Sequence, residues 1–436
     1  MGELHEPLLL IANGEFPPPT AGEGGPRVSG GREWGAPPYP ERSRSPLPPR
    51  IRGAPSPAEG GGKTLTLRER WLAFRNRTVA RPGFQRWAAG FPLTRGIARR
   101  NTRALFDLCA GFVYSQTLFA CIRLDVFGAL EQGPRNVESL AVQFDLSPER
   151  CLRLLKAAAS LDLLTALPDG RFALADLGAA LIGNPAIAAM VEHHAMLYDD
   201  LRDPVALLRG EAGPTRLAAY WPYADGTRPV GPESVAPYSG LMAASQALIA
   251  QDILDAYPLT AHRRLMDVGG GEGAFLSAAA GRAPDLALTL FDLPPVAELA
   301  RRGFAAAGLD GRAVAEGGSF RDDPLPVGAD VISLVRVVHD HDDDTVRVLL
   351  RKVYEALGPG GTLLLAEPMA DTPGAAPIAD AYFGFYLLAM GSGRCRSPEE
   401  LGQLLAEAGF AQVREISTRR PLLTRLIVAR RSDKHA

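Results

Sequence analysis

The stretch from Arg264 to Asp292 constrains this chain more than any other. Leu265-Met266-Asp267-Val268 is a short apolar run, read as a buried strand. It is followed at once by Gly269-Gly270-Gly271-Glu272-Gly273 and then by Ala274-Phe275-Leu276-Ser277-Ala278-Ala279, read as a helix. Strand, glycine turn and helix make the opening βα unit of a nucleotide-binding α/β sheet. Glycine lets the backbone pass close to a ligand and supplies positive φ where a Cβ would clash. About 20 residues further on, Leu288-Thr289-Leu290-Phe291-Asp292 reads as the second strand, ending in an acid placed to hold a ribose diol.

Two ligands fit that description. Gly269, Gly271 and Ala274 satisfy the loose dinucleotide pattern G-x-G-x-x-A. Asp267, an acid inside the strand, tips the balance to S-adenosyl-L-methionine (SAM), which lacks a pyrophosphate and presents an ammonium. A glycine turn that binds nothing is the plain alternative, and the frame of Asp267 and Asp292 argues against it.

The rest of the chain narrows the class. A net charge of −2 gives no global sign of nucleic-acid binding. The four cysteines, Cys109, Cys121, Cys151 and Cys395, lack metal spacing and lie far apart, as reduced thiols of a cytoplasmic protein do. No apolar run is expected to approach the roughly 18 residues of a membrane span, and Met1-Gly2-Glu3 opens no secretory leader. Residues 1–62 are rich in Gly and Pro and are expected to form a tail without a fold, or a gene-call extension.

From residue 63 to 103 the character changes to a basic aromatic arm. Between Leu65 and Arg103, ten arginines face one acid, Glu69, with Trp71, Phe74, Phe84, Trp87 and Phe91 among them. Two readings fit: a segment lying at an anionic membrane surface, and a solvated arm packed on a partner subunit. Residues 104–185 read as helices closed by a small hairpin, a winged helix. Its helices begin with Leu105–Tyr114, Ile122–Leu130, Val137 and Ser147-Pro148, and its hairpin turns at Asp169-Gly170. Few basic or amide residues line Glu149 to Ser160, so dimerisation is favoured over DNA binding. Residues 186–260 read as a helical connector broken at Pro204, Pro214 and Trp221-Pro222, with His193 and His194 as core or pocket-wall residues.

In residues 261–430, Gly317-Gly318-Ser319-Phe320-Arg321 follows a short strand and is expected near an adenine ring. Phe320 would cover its face and Ser319 would bond its edge. The strand Ala329–Val335 runs into Arg336-Val337-Val338-His339-Asp340-His341-Asp342-Asp343-Asp344, so His339 is expected at a strand end facing the cofactor. The aspartates are read as helix caps in preference to metal ligands, and no metal is expected. A fifth strand ends in Glu367.

These features, with Phe291-Asp292-Leu293-Pro294, Gly360-Gly361 and Ala408-Gly409-Phe410, resemble the acetylserotonin and plant-type small-molecule O-methyltransferases over residues 104–430. Val335–Asp344 and Gly391–Ser397 are most similar to the bacterial carotenoid 1-hydroxyl methyltransferases of the demethylspheroidene or hydroxyneurosporene type. The resemblance implies a Rossmann-like class I SAM methyltransferase domain behind a winged-helix dimerisation domain, a homodimer, and an acyclic hydroxycarotenoid as acceptor. It implies His339 and Glu367 as the catalytic pair, with Asp340 as the other possible orienter. It assigns Asp267, Gly269, Gly271, Asp292, Leu293, Gly318, Ser319, Phe320 and Arg336 to the cofactor. Two departures stand out: Ser319 replaces an acid, and Cys395 stands where the family often has a second glutamate. Ala381–Met390 would form one wall of an acceptor channel, joined by Phe112 or Met196. A soluble phenol, polyketide or hydroxyindole is the rival acceptor; a silent SAM-sensing regulator and an NAD-linked oxidoreductase are rivals of other classes.

Overall fold

The computed structural model describes residues 66–220 and 246–432. The expected tail over 1–62 and the break at Trp221-Pro222 lie outside the described residues. The chain divides into two compact units, residues 1–112 and 113–436.

In the first unit the basic and aromatic residues lie on the helices Leu67–Val79, Pro82–Gly90 and the start of Arg95–Arg123. Thr66 and Glu69 form a reciprocal capping box at the first, and Pro82 opens the second. The apolar side chains are poorly covered: Trp71 is 58% exposed, Phe74 64% and Trp87 52%. Trp87 stacks on Phe91, and the Arg75 guanidinium sits 5.3 Å from the Trp71 ring centre. The helix Arg95–Arg123 is 29 residues long and, averaged over an 18-residue window, has a mean hydropathy of 1.5. By length and composition it could cross a membrane, although Asp107 and Ser115-Gln116-Thr117 interrupt any continuous apolar run.

The second unit opens with a small helical core around Cys121, Phe127, Leu140, Leu155 and Phe172. The expected helix Ile122–Leu130 is instead divided. The long helix ends at Arg123, Asp125 turns the chain at φ +52, and a short helix Val126–Leu130 follows. An aspartate tolerates that left-handed conformation, which apolar spacing cannot signal. Asn136 and Ser147 cap the next two helices. Strands β1 (Leu164–Ala166) and β2 (Phe172–Leu174) then pair antiparallel around Gly170, at φ +83.

The main sheet has seven strands: β3 (Arg264–Val268), β4 (Ala287–Asp292), β5 (Ala313–Gly317), β6 (Val331–Val335), β7 (Thr362–Glu367), β8 (Phe410–Ile416) and β9 (Arg425–Arg431). Their order is β5-β4-β3-β6-β7-β9-β8, parallel except for β9, which runs antiparallel to both neighbours. Side chains alternate across it. Leu265, Leu288, Val331 and Leu364 join helices Ala274–Arg282 and Pro294–Ala306 on one face. Met266, Ile332, Leu363 and Ile427 join Asp343–Ala356 and Pro398–Glu407 on the other. Covered on both faces, β6 and β7 are buried along their whole length and mostly apolar. Strand order reverses beside β3, so the ends of β3, β4, β6 and β7 converge at the crevice where such sheets bind ligands.

Candidate active site

The glycine turn after β3 is tied down from both sides. Gly269 N–H donates to Phe291 O at 2.8 Å, and Gly271 N–H donates to Asp292 Oδ2 at 2.8 Å. Asp292 Oδ1 accepts Leu293 N–H at 2.7 Å, so the expected ribose acid also locks the turn to β4. Burial, only partly offset by those two amides, pushes its carboxyl up to about 6. Gly273, at φ +80, brings the turn against Phe304, whose ring would lie 2.5 Å from a Cβ there.

Asp267 sits beneath this turn, 1% exposed. Its strand position pairs it with Ser333 of β6, whose hydroxyl donates to Oδ1 at 2.6 Å, while Oδ2 has no partner. A Cβ on Gly270 would come within 2.4 Å of that bare oxygen, whereas one on Gly271 would meet nothing within 4 Å. The turn is therefore sealed below and open above. Burial pushes the Asp267 carboxyl up to about 7, with Ser333 opposing and Asp292 adding to the rise.

After β5, Ser319 does not point a free hydroxyl at a ligand. It donates to Asp322 Oδ2 and accepts Arg321 N–H, which leaves acceptor capacity only, the polarity an exocyclic amino group needs. Phe320 meets the His341 ring edge-on at 5.2 Å. Burial, joined by the Arg321 charge, pushes His341 down to about 3, so this histidine is neutral. Of the three aspartates, Asp342 caps the following helix through Thr345 N–H at 2.8 Å. Asp343 instead pairs with Arg394 and Arg396, and Asp344 with Arg347, so capping belongs to one of the three.

At the end of β6, Arg336 adopts φ +57 and its N–H donates to Ala366 O, turning the chain into a single 3-10 turn, Val338–Asp340. The Glu367 carboxylate gathers this turn: Oε1 accepts the N–H groups of Val337 (2.9 Å) and Val338 (2.7 Å), and Oε2 meets His339 Nδ1. An acceptor-only oxygen fixes the proton on Nδ1. Nε2 faces Asp340 Oδ1 at 3.2 Å. Glu367 therefore sits on Nδ1 and Asp340 on the other nitrogen, so both sequence alternatives touch the ring. Burial alone would lower the His339 pKa, but Asp340 and Glu367 outweigh it and raise it. Burial raises the Asp340 carboxyl as well, with the His339 charge opposing. Arg336 adds its charge here and at Tyr382 and Tyr386.

The wall beside this dyad is the segment Pro377–Phe383, a π-helical turn, continued by the helix Gly384–Met390. Phe383 meets the His339 ring edge-on at 5.8 Å. His193 and His194 bond the hydroxyls of Tyr386 and Tyr382, each at 2.8 Å, so these adjacent histidines grip successive turns of one element. Met196, Leu197, Leu217 and Cys395 pack on the same wall; Phe112, expected there, is 66% exposed. Burial first, then Glu367 and Asp340, push the Cys395 thiol up to about 12, so it is a neutral group. A separate cavity of about 620 Å³, lined by His262, Asp330, Gly360 and Arg430, lies at the opposite edge of the sheet and shares no residue with this cluster.

A seven-stranded sheet of this order, with a glycine turn, two strand-end acids and a buried histidine at one edge, defines a class I methyltransferase. Residues 198–411 match the O-methyltransferase domain and residues 106–184 the O-methyltransferase dimerisation domain. The chain belongs to this family of SAM-dependent O-methyltransferases. It is 48% identical over 349 residues to demethylspheroidene O-methyltransferase of Cereibacter sphaeroides, covering 79% of this chain and 91% of that one. Acetylserotonin O-methyltransferase of Mus musculus is 33% identical, over 72% and 85%. Among solved structures, mitomycin 7-O-methyltransferase MmcR superposes with a TM-score of 0.65 at 25% identity, over 78% and 100%.

Proposed function

We propose that the chain acts as a homodimer that transfers the sulfonium methyl of SAM to the C-1 hydroxyl of an acyclic carotenoid of the demethylspheroidene or hydroxyneurosporene type. The observation that carries the catalytic reading is His339, 5% exposed, held between Glu367 and Asp340 at the sheet edge that bears the glycine turn. The carotenoid reading rests on relatives 47–48% identical that carry the demethylspheroidene name. The neutral Cys395 and the aromatic wall support an apolar acceptor.

The residues fit SAM. The bare Oδ2 of Asp267 supplies negative charge for an ammonium, the turn is open above Gly271, and Asp292 keeps lone pairs for a diol. Leu293, Gly318, Ser319, Phe320 and Arg336 would complete that site. Bound SAM supplies an electrophilic methyl, so the protein's task is chiefly to hold the acceptor oxygen in line with the S–CH₃ bond. His339 Nε2 takes the hydroxyl proton as the new O–C bond forms, and Glu367 holds Nδ1–H and stabilises the imidazolium. A tertiary alcohol is a very weak acid, so proton transfer is concerted with methyl transfer or follows it. No part of this scheme requires a metal.

The arginine-rich helices from Leu67 onward would bring the enzyme to the cytoplasmic face of an anionic membrane, where a carotenoid alcohol resides. Their exposed Trp71, Phe74 and Trp87 support this role. The test of the catalytic reading is His339→Ala. It should lower kcat by about 10²–10⁴-fold with SAM affinity retained in calorimetry. Activity within a few-fold of the parent would make His339 a structural residue.

A further inference from the structure

Glu367 gathers the amide groups of the histidine turn, which leaves its carbonyls to be held from the other side. The loop after Met390 does this. Arg396 Nη1 donates to Val338 O at 2.8 Å, Arg396 Nη2 to His341 O at 2.8 Å, and Ser392 Oγ to Asp340 O at 2.7 Å. Gly393, at φ +89, lies so close that a Cβ there would come within 2.2 Å of His339 O, the fourth carbonyl. Three of the four carbonyls from Val338 to His341 thus accept hydrogen bonds from one loop, and its backbone packs against the fourth.

Arg396 is 2% exposed, and each of its five N–H groups has an acceptor. Besides Val338 O and His341 O, these are Asp343 Oδ1, which takes two, and Arg394 O. Burying a guanidinium is a costly way to fill space, since apolar residues of similar volume often stabilise as well or better. What the planar fork supplies is fixed direction: two carbonyls of one turn and the aspartate opening the next helix, held in one plane. A lysine, with three donors on a flexible stem, cannot span them.

We propose that Arg396, seconded by Ser392, is a positioning residue for the methyl transfer, a latch that sets the His339 ring against Glu367 without touching either substrate. This rests on His339 being the base. It assigns the loop Gly391–Ser397 the carbonyl half of a clamp whose amide half is Glu367. Released from the loop, the turn keeps Glu367 but loses the constraint on its carbonyls, and the ring is free to swing away from the acceptor oxygen.

The test is a double-mutant cycle on the full chain, with SAM binding measured on each variant. Arg396→Ala and Arg396→Lys should each lower kcat by about 10²-fold, the cost of displacing a reacting group by about 1 Å, while SAM binding changes little. Guanidinium ion should restore part of the Arg396→Ala loss. In a His339→Ala background the same Arg396 substitutions should cost almost nothing, because a latch matters only if there is a ring to hold. If Arg396→Ala does not accumulate as folded protein, the cycle is read with Ser392→Ala, which should lose a few-fold in the parent and nothing in His339→Ala. Equal losses with and without His339 would overturn the latch and make the loop a plain scaffold. Full activity of His339→Ala alone would instead overturn the assignment of the base.

Discussion

Burial raises the carboxyl pKa of two aspartates at this site, Asp340 and Asp267, and each ties the chemistry to pH. Asp340 faces His339 Nε2 at 3.2 Å, and its charge helps raise the histidine pKa above the ordinary 6.5. A base must be deprotonated to accept, so kcat should rise with pH along a limb lying above 6.5. Asp340→Asn removes one of the raising charges and should move that limb to lower pH; a limb that stays put would show that Asp340 does not act on the ring. Asp267 is the second case, with its carboxyl pushed up to about 7 by burial. An ammonium favours the ionised form, so SAM binding should release a proton and tighten as pH rises through 7. Calorimetry in buffers of different ionisation heat measures that release, and its absence would remove Asp267 from contact with the ammonium. Both aspartates were legible in the sequence, Asp267 from its place inside the strand before the glycine turn and Asp340 as the neighbour of His339. The environments that shift them were not, because burial, Ser333 and the ring of His339 come from other strands.

At the scale of elements, the legible part was the set of strand ends. A buried strand followed by a glycine turn or an acid carries its own signal, so β3, β4, β6 and β7 and the groups at their tips could be read directly. The Gly391–Ser397 latch could not be read, since its partners are backbone carbonyls more than fifty residues away, which leave no pattern in side-chain type. The break at Asp125 and the π-helical turn at Pro377–Phe383 escaped for a similar reason: helical spacing persists across both while the backbone departs from it. Gly273 makes a close contact with Phe304 of the helix Pro294–Ala306. Gly273→Ala combines a strained φ of +80 with a Cβ 2.5 Å from the ring, and should destabilise by about 1–3 kcal/mol. Thermal melting would register this as a drop of several degrees; an unchanged midpoint would mean the helix Pro294–Ala306 can shift without loss.

The whole molecule joins a methyltransfer site to an arginine-rich segment carrying one acid among ten arginines. Each basic side chain near an anionic surface contributes on the order of 1 kcal/mol, lost as salt screens it. Removal of residues 1–62 should leave vesicle binding intact, whereas removal through Arg100 should weaken it, and binding by the full chain should fall as salt is raised. Binding to neutral and anionic vesicles alike would assign the arm to a protein partner. The central claim, SAM-dependent methylation of a carotenoid tertiary alcohol, is tested most directly by supplying methyl-labelled SAM and anionic vesicles loaded with a 1-hydroxylated acyclic carotenoid, beside a soluble phenol in a parallel reaction. The label should appear in the lipid-extracted carotenoid as a methyl ether and should be lost with His339→Ala. Label in the phenol alone, with the carotenoid unmethylated, would contradict it.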